Sequence, residues 1–166
     1  MHMLNEMNDP ERKDAEPQRR ENDATPASLR PCVVASSSSP LTEDEISRHI
    51  VEAAIEVHRT LGGPGLLESV YVEALVWELE ERGLTVEREV WIQLEYKGRT
   101  LASRLRIDLI VNGKVIIECK AATAYNKIFE AQTLTYLRLT GLKLGMVINF
   151  GERMVRNGIH RVVNGL

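Results

Sequence analysis

The sequence has no Cys-x-x-C pair and only two cysteines, Cys32 in a polar stretch and Cys119 inside an apolar strand pattern. Zinc and iron–sulfur centres therefore lack support. A disulfide framework lacks support as well, and a reducing compartment is the default. Positive charge is not in excess: 21 Lys and Arg against 24 Asp and Glu leave a net charge of −3. That excludes a surface coated in basic charge for non-specific nucleic-acid binding, while a local arginine cluster stays open. No apolar run approaches the roughly 20 residues of a membrane span. The N-terminus shows no apolar stretch of the signal-peptide kind, so a cytoplasmic protein without membrane contact is expected. Gly62-Gly63-Pro64-Gly65 lacks the Gly-Lys-Ser/Thr of a phosphate-binding loop and reads as a turn. His49, His58 and His160 have no metal-ligand spacing, and His58 is expected to cap or pack near the end of its helix.

What is present falls into two parts. Residues 1–40 are rich in Glu, Asp, Arg, Asn, Pro and Ser and close on Ser36-Ser37-Ser38-Ser39-Pro40. Such a segment cannot bury enough to offset the entropy of ordering, so a disordered tail is expected. Residues 41–166 carry the periodic patterns of one domain. Thr42, followed by Glu43 and Glu45, reads as a helix N-cap with first-turn acids. Ile46, Ile50, Ala53, Ala54, Val57 and Leu61 recur at helical spacing behind it. A second helix is expected from about Leu66 to Arg82, stopped by Gly83. Strands follow at Val86 to Tyr96, Leu101 to Val111 and Val115 to Lys120. A helix from about Lys127 to Thr140, a buried strand from Leu144 to Phe150, and a last hairpin around Asn157-Gly158 complete the chain. The order α-α-β-β-β-α-β-β implies an α/β fold, a small mixed β-sheet flanked by helices.

The hairpin joining the second and third strands can be read in two registers. A two-residue Asn112-Gly113 turn would set Glu118 and Lys120 against Ile107 and Leu105, burying two charges on an apolar face. A one-residue shift pairs Val111 with Val115, Leu109 with Ile117 and Ile107 with Cys119. It makes that face continuous, at the expense of a longer loop or a bulge near Gly113. Burying an unpaired charge costs several kcal/mol, so the shifted register is expected. Asp108 then stands opposite Glu118, and Arg106 opposite Lys120. Two close carboxylates repel unless a cation lies between them. Hard oxygen donors of this kind suit Mg²⁺ or Mn²⁺. A solvated sheet face with ordinary ion pairs is the alternative.

Asp108-x9-Glu118-x-Lys120 resembles the bipartite signature of PD-(D/E)XK nucleases. Gly65-Leu66-Leu67-Glu68-Ser69-Val70-Tyr71 resembles the motif of the GxxExxY family, a branch of that superfamily. Glu56 to Gly62, Glu118-Cys119-Lys120-Ala121, Gln132 to Leu137 and Asn149-Phe150-Gly151 are similar to the same family. The resemblance spans about Leu41 to Val163. It implies a restriction-endonuclease-like αβββαβ core with an additional N-terminal helix. Asp108 and Glu118 would bind the divalent metal, with the Cys119 carbonyl and Glu68 as further ligands. Lys120 would position or deprotonate the attacking water. Gln132-x3-Tyr136 resembles a motif of RecB-like nucleases that supports the active-site groups.

The implied activity is hydrolysis of phosphodiesters in nucleic acid, with DNA ranked ahead of RNA. Arg104, Arg106 and Lys127 are candidates to guide the backbone. A catalytically silent module that binds nucleic acid or a protein partner is the alternative. Tyr71 reads as a core aromatic ahead of a site residue. Glu68 reads as a site residue ahead of a plain first-turn acid. Oligomeric state is left open.

Overall fold

The computed structural model describes residues Pro40 to Gly165. All of the tail expected over residues 1–40 except Pro40 lies outside them. Helix α1, Glu43–Thr60, starts in a capping box: Thr42 Oγ1 accepts from the Glu45 amide, and Glu45 Oε2 accepts from the Thr42 amide. Reciprocal capping satisfies donors that a helix start leaves unpaired. Its buried stripe is Ile46, Ile50, Ala53, Ala54 and Val57. Helix α2, Glu68–Glu81, buries Tyr71, Leu75, Val76 and Leu79.

Five strands follow in one sheet, ordered as in the chain: β1 Val86–Tyr96, β2 Arg99–Val111, β3 Val115–Lys120, β4 Leu144–Asn149 and β5 Ile159–Val163. Helix α3, Ile128–Thr140, connects β3 to β4, and these two strands are parallel. The other neighbours are antiparallel. Helices α1 and α2 pack on one face, and Tyr136 and Leu137 of α3 pack on the other. Strands β3 and β4 are therefore covered on both sides, and all of their residues but Lys120 are buried. This explains the apolar runs Val115 to Ile117 and Met146 to Ile148. No helix among the described residues is long and apolar enough to cross a membrane.

The expected hairpin around Asn157-Gly158 is not formed. Val155–Gly158 is a 3₁₀ turn, and β5 pairs with β4 in the register Leu144↔Val163. Val155 is buried in the cluster beneath α1, which draws the turn inward. Gly158 lies so close to Asn149 that a Cβ would stand 2.4 Å from the Asn149 carbonyl oxygen.

The shifted register of the β2–β3 hairpin is formed at its turn. Val111 pairs with Val115 and Leu109 with Ile117. Asn112, Gly113 and Lys114 make the loop, with φ of 50° at Asn112 and 64° at Gly113, and the Lys114 amide donates to the Val111 carbonyl at 3.0 Å. Both positions need the left-handed region, which Asn and Gly tolerate.

Beyond Leu109 the expectation needs correction. Leu105, Ile107, Leu109 and Val111 do not share one face. Leu109 and Val111 pack with α1 and α2, while Ile107 and Leu105 pack in the cluster of α3. The described β2–β3 pairs end at Leu109↔Ile117, so Ile107 is not set against Cys119. On the other side, β1–β2 pairs run Arg88↔Leu109 and then Val90↔Ile107, with no pair at Glu89 and Asp108. Glu89 takes a φ of 49° there. One residue on each strand goes unpaired and the register is the same on both sides, so the ladder is interrupted there without an inserted residue; the register shift of this hairpin lies between Gln93 and Glu95. The alternation of faces reverses at Asp108.

Candidate active site

Asp108 stands at that irregularity. Its Oδ2 accepts from the Cys119 amide at 3.0 Å, taking the place of a ladder contact between β2 and β3. The carboxylate thereby sits beside β3 at the level of Glu118 and Lys120. On β3 those two residues are two apart and share a face. Lys120 Nζ donates to Glu118 Oε1 at 2.6 Å. Glu118 is only 2% exposed, and its Oε2 is buried without a hydrogen-bond partner among the described residues. Leaving a buried polar atom unpaired costs about 1–3 kcal/mol, more for a charged group.

Glu68, the first residue of α2, comes in from the helix side. It lines a cleft of about 140 Å³ with Asp108, Arg106 and Glu89. It also lines a second, of about 320 Å³, with Lys120 and Ala121. Glu68 thus borders one cleft with Asp108 and another with Lys120. A larger hollow, about 480 Å³ beside Trp77, is lined by none of Asp108, Glu118 and Lys120. Chemistry, not size, selects the smaller clefts.

The charges act on one another. Burial pushes the Glu118 carboxyl above its ordinary range, the Lys120 hydrogen bond resists, and the Asp108 and Glu68 charges push further. Glu68 is also raised, by desolvation first, against the pull of Lys120 and with added repulsion from Asp108. Glu68 keeps an exposed surface, so solvent screens part of this effect. For Lys120, burial disfavours the charge, but the hydrogen bond and charge of Glu118, with Asp108 and Glu68, outweigh it and raise the pKa. The Cys119 thiol is fully buried and pushed well up, first by desolvation and then by the surrounding carboxylates.

On the α3 side, Gln132 Nε2 donates to the Tyr136 hydroxyl at 2.6 Å. Burial raises the Tyr136 pKa, Gln132 opposes it, and the charges of Glu118 and Asp108 add to it. The pair is therefore within electrostatic reach of the carboxylates. Phe129 places its ring 5.5 Å from Lys120 Nζ. Arg106 is exposed and bonded to Glu89 at 3.0 Å, while Arg104 and Lys127 are exposed.

Tyr71 is not part of this group. It is fully buried, stacks on Phe150 with ring centroids 4.7 Å apart, and donates its hydroxyl to the Gly63 carbonyl. His58 packs near the end of its helix, with Nε2 3.1 Å from the Glu152 carbonyl.

Asn149 carries a role that the pattern of letters did not reveal. It is fully buried at the end of β4, beside Lys120. Its Oδ1 accepts from the amides of Ala122 and Gly151, and its Nδ2 donates to the Ala122 carbonyl. The Phe150 amide donates to the Lys120 carbonyl at 2.7 Å. This bracket fixes the end of the strand that presents Lys120. Gly151 permits it, because a Cβ there would lie 2.2 Å from the Ala122 carbonyl oxygen. A buried Asn ending an apolar strand and followed by Phe-Gly was the available signal.

No three His, Cys, Asp or Glu side chains among the described residues stand together as a ready metal cluster. Asp108 and Glu118 each commit one oxygen to a protein donor. The remaining donors are hard carboxylate oxygens, and the buried Glu118 Oε2 lacks a partner, so the residues fit a hard divalent cation chemically.

A mixed five-stranded sheet covered by helices on both faces, with an additional N-terminal helix, is the restriction-endonuclease-like α/β fold. The family model described as the PD-(D/E)XK nuclease superfamily matches residues 44–162, and the chain belongs to that superfamily. No curated protein matches the chain. Among solved structures, the crystal structure of SSO0001 is similar at 15% identity, over 73% of this chain and 79% of that one, with a TM-score of 0.44.

Proposed function

We propose that this chain is a divalent-metal-dependent nuclease of the GxxExxY branch, hydrolysing phosphodiester bonds in nucleic acid, DNA ahead of RNA. The observation that carries the reading is Glu118: a buried carboxylate with an unpartnered oxygen, tied to Lys120 and repelled by Asp108 and Glu68. Asp108 and Glu118 would hold Mg²⁺ or Mn²⁺, with the Cys119 carbonyl and Glu68 completing the protein ligands. Such an ion lowers the pKa of a bound water and neutralises charge on the phosphate.

Lys120 keeps its proton at neutral pH because its pKa is raised. Of its two expected roles, this supports positioning and charge stabilisation over deprotonation of water. Its ammonium supplies positive charge where negative charge develops on phosphorus. Gln132 orients the Tyr136 hydroxyl at the α3 wall of the site. The bracket of Asn149 holds the Lys120 end of β3 against β4. A reducing, cytoplasmic setting suits the free, buried Cys119.

The test is cleavage of labelled single-stranded DNA, duplex DNA and RNA in Mg²⁺ or Mn²⁺. Wild type is expected to cut at least one of them, and Asp108→Ala and Lys120→Ala to abolish that. Unchanged activity in either variant would remove the assignment. One observation favours a silent binding module instead: Asp108 and Glu118 are engaged by protein donors, and no ready metal cluster stands among the described residues. Calorimetric titration with Mn²⁺ separates the two readings. Heat in wild type that is lost in Glu118→Ala supports the enzyme, and no heat in either supports the module.

A further inference from the structure

Past Asp108 the β1–β2 hairpin runs on with most of its residues exposed. The ladder is interrupted at Glu89 and Asp108 without a change of register. Arg106 lines the cleft of Asp108 and Glu68. Trp91 is the cross-strand partner of Arg106, and Gln93 is the partner of Arg104. Cross-strand partners lie on one face with Cβ atoms about 5 Å apart. Trp91, Arg106, Gln93 and Arg104 therefore form one surface row that begins at the cleft. The row is open to water: Trp91 is 59% exposed, and the Arg106 side chain is 49% exposed.

No aromatic ring among the described residues stacks on Trp91. Arg104 has no ion-pair partner among them, and Arg106 is bonded to Glu89. In a chain of net charge −3, this puts arginine and a free indole face beside the acidic group.

We propose that this row is a track for a single-stranded polynucleotide, with an unpaired base stacked on Trp91 and neighbouring phosphates held by Arg106 and Arg104. The track would lead the scissile phosphodiester toward Asp108, so the inference rests on the nuclease reading and names its substrate class. The preference for a single strand follows from the chemistry. Bases in a duplex have their faces covered by neighbours, whereas an unpaired base offers one to an exposed indole. Base–aromatic stacking tolerates any sequence, and arginines beside it follow the backbone. A two-stranded ribbon can also enter a duplex major groove, which makes duplex binding the outcome to beat.

The sequence holds two tryptophans, so Trp77→Phe leaves Trp91 as the sole indole reporter. That protein is titrated in EDTA with oligo-dT, oligo-U and a hairpin duplex of equal length. Saturable quenching by a single strand, with little by the duplex, is expected; dT against U tells DNA from RNA. Trp91→Ala should weaken single-strand binding about ten-fold, and Arg104→Ala should lower the salt dependence, at unchanged melting temperature.

Absence of quenching, or a duplex response equal to the single-strand one, would overturn the track. Cleavage by wild type that Trp91→Ala leaves unchanged on single strands would overturn it too, with the nuclease reading intact. Quenching by a single strand in a protein that cuts nothing in Mg²⁺ or Mn²⁺ would remove the enzyme and keep the track.

Discussion

Leu109 to Val111 of β2 are buried and paired with β3, whereas Arg99 to Arg104 of the same strand are exposed throughout. The two ends differ in what surrounds them. The inner end lies between α1 and α2 on one side and α3 on the other, and its apolar side chains divide between two packed clusters. The outer end has only β1 beside it and carries arginine, Ser103 and Thr100. Asp108 occupies the join. A carboxylate is out of place in the packed end and would be fully solvated in the open one. At the join it finds a backbone donor, two other carboxylates and a lysine. The candidate site thus lies where packing stops, beside a packed end that holds its strands.

That division can be broken from either side. The largest effect is expected from Asp108→Asn, which keeps an acceptor for the Cys119 amide and removes the charge. Nuclease activity should fall by about 10³-fold, while the melting temperature stays close to wild type. A large drop in melting temperature would show that Asp108 belongs to the packed end.

Next is Ile117→Ala at the fully buried centre of β3. Truncating a large aliphatic core side chain costs about 2–5 kcal/mol, which urea denaturation would read. The activity of the remaining folded fraction should be little altered. A loss under 1 kcal/mol would deny the inner end its structural role.

Glu118→Gln gives a smaller, opposite effect. The folded state raises the Glu118 pKa, so its stabilising contribution is complete below the unfolded value and is lost as pH rises through the folded one. Above that raised value the charge on buried Glu118 is therefore a net burden, Lys120 included. In metal-free buffer the variant should melt higher than wild type, by about 2–4 °C at pH 7. The gap should close as pH falls through the raised value. A variant that melts lower at pH 7 would show that Lys120 outweighs burial.

The smallest effect belongs to Tyr71→Phe, which removes the hydroxyl bonded to Gly63 and Leu66 and keeps the stack on Phe150. A loss of about 1 kcal/mol in stability with activity retained is expected. A selective loss of activity would move Tyr71 into the site.

Much of this layout was legible in the letters. Helix starts and stops are local: Thr42 and Glu45 form a capping box from side chains three residues apart. The turn at Asn112-Gly113 and the pairing of Val111 with Val115 followed from the cost of burying Glu118 and Lys120 against leucine and isoleucine. What escaped was set by remote neighbours. The Asn157-Gly158 pattern implies a hairpin, but β5 finds its partner in β4 and not in the turn before it. Asn149 went unassigned because the chain it brackets, Ala122, lies 27 residues away.

The sequence by itself determined the order of elements, the turn register and the identity of Asp108, Glu118, Lys120, Glu68, Gln132 and Tyr136 as the group to watch. The first two are consequences of side-chain periodicity and of spacing along the chain, which act locally, and the group is what the resemblance of its motifs implies. Tertiary structure alone decided that the face alternation of β2 reverses at Asp108 and that Glu118 keeps one buried oxygen unpartnered. Alternation assumes an unbroken ladder, and only packing shows where the ladder gives way. Burial and charge interaction likewise depend on which distant groups arrive, and folding alone assembles them.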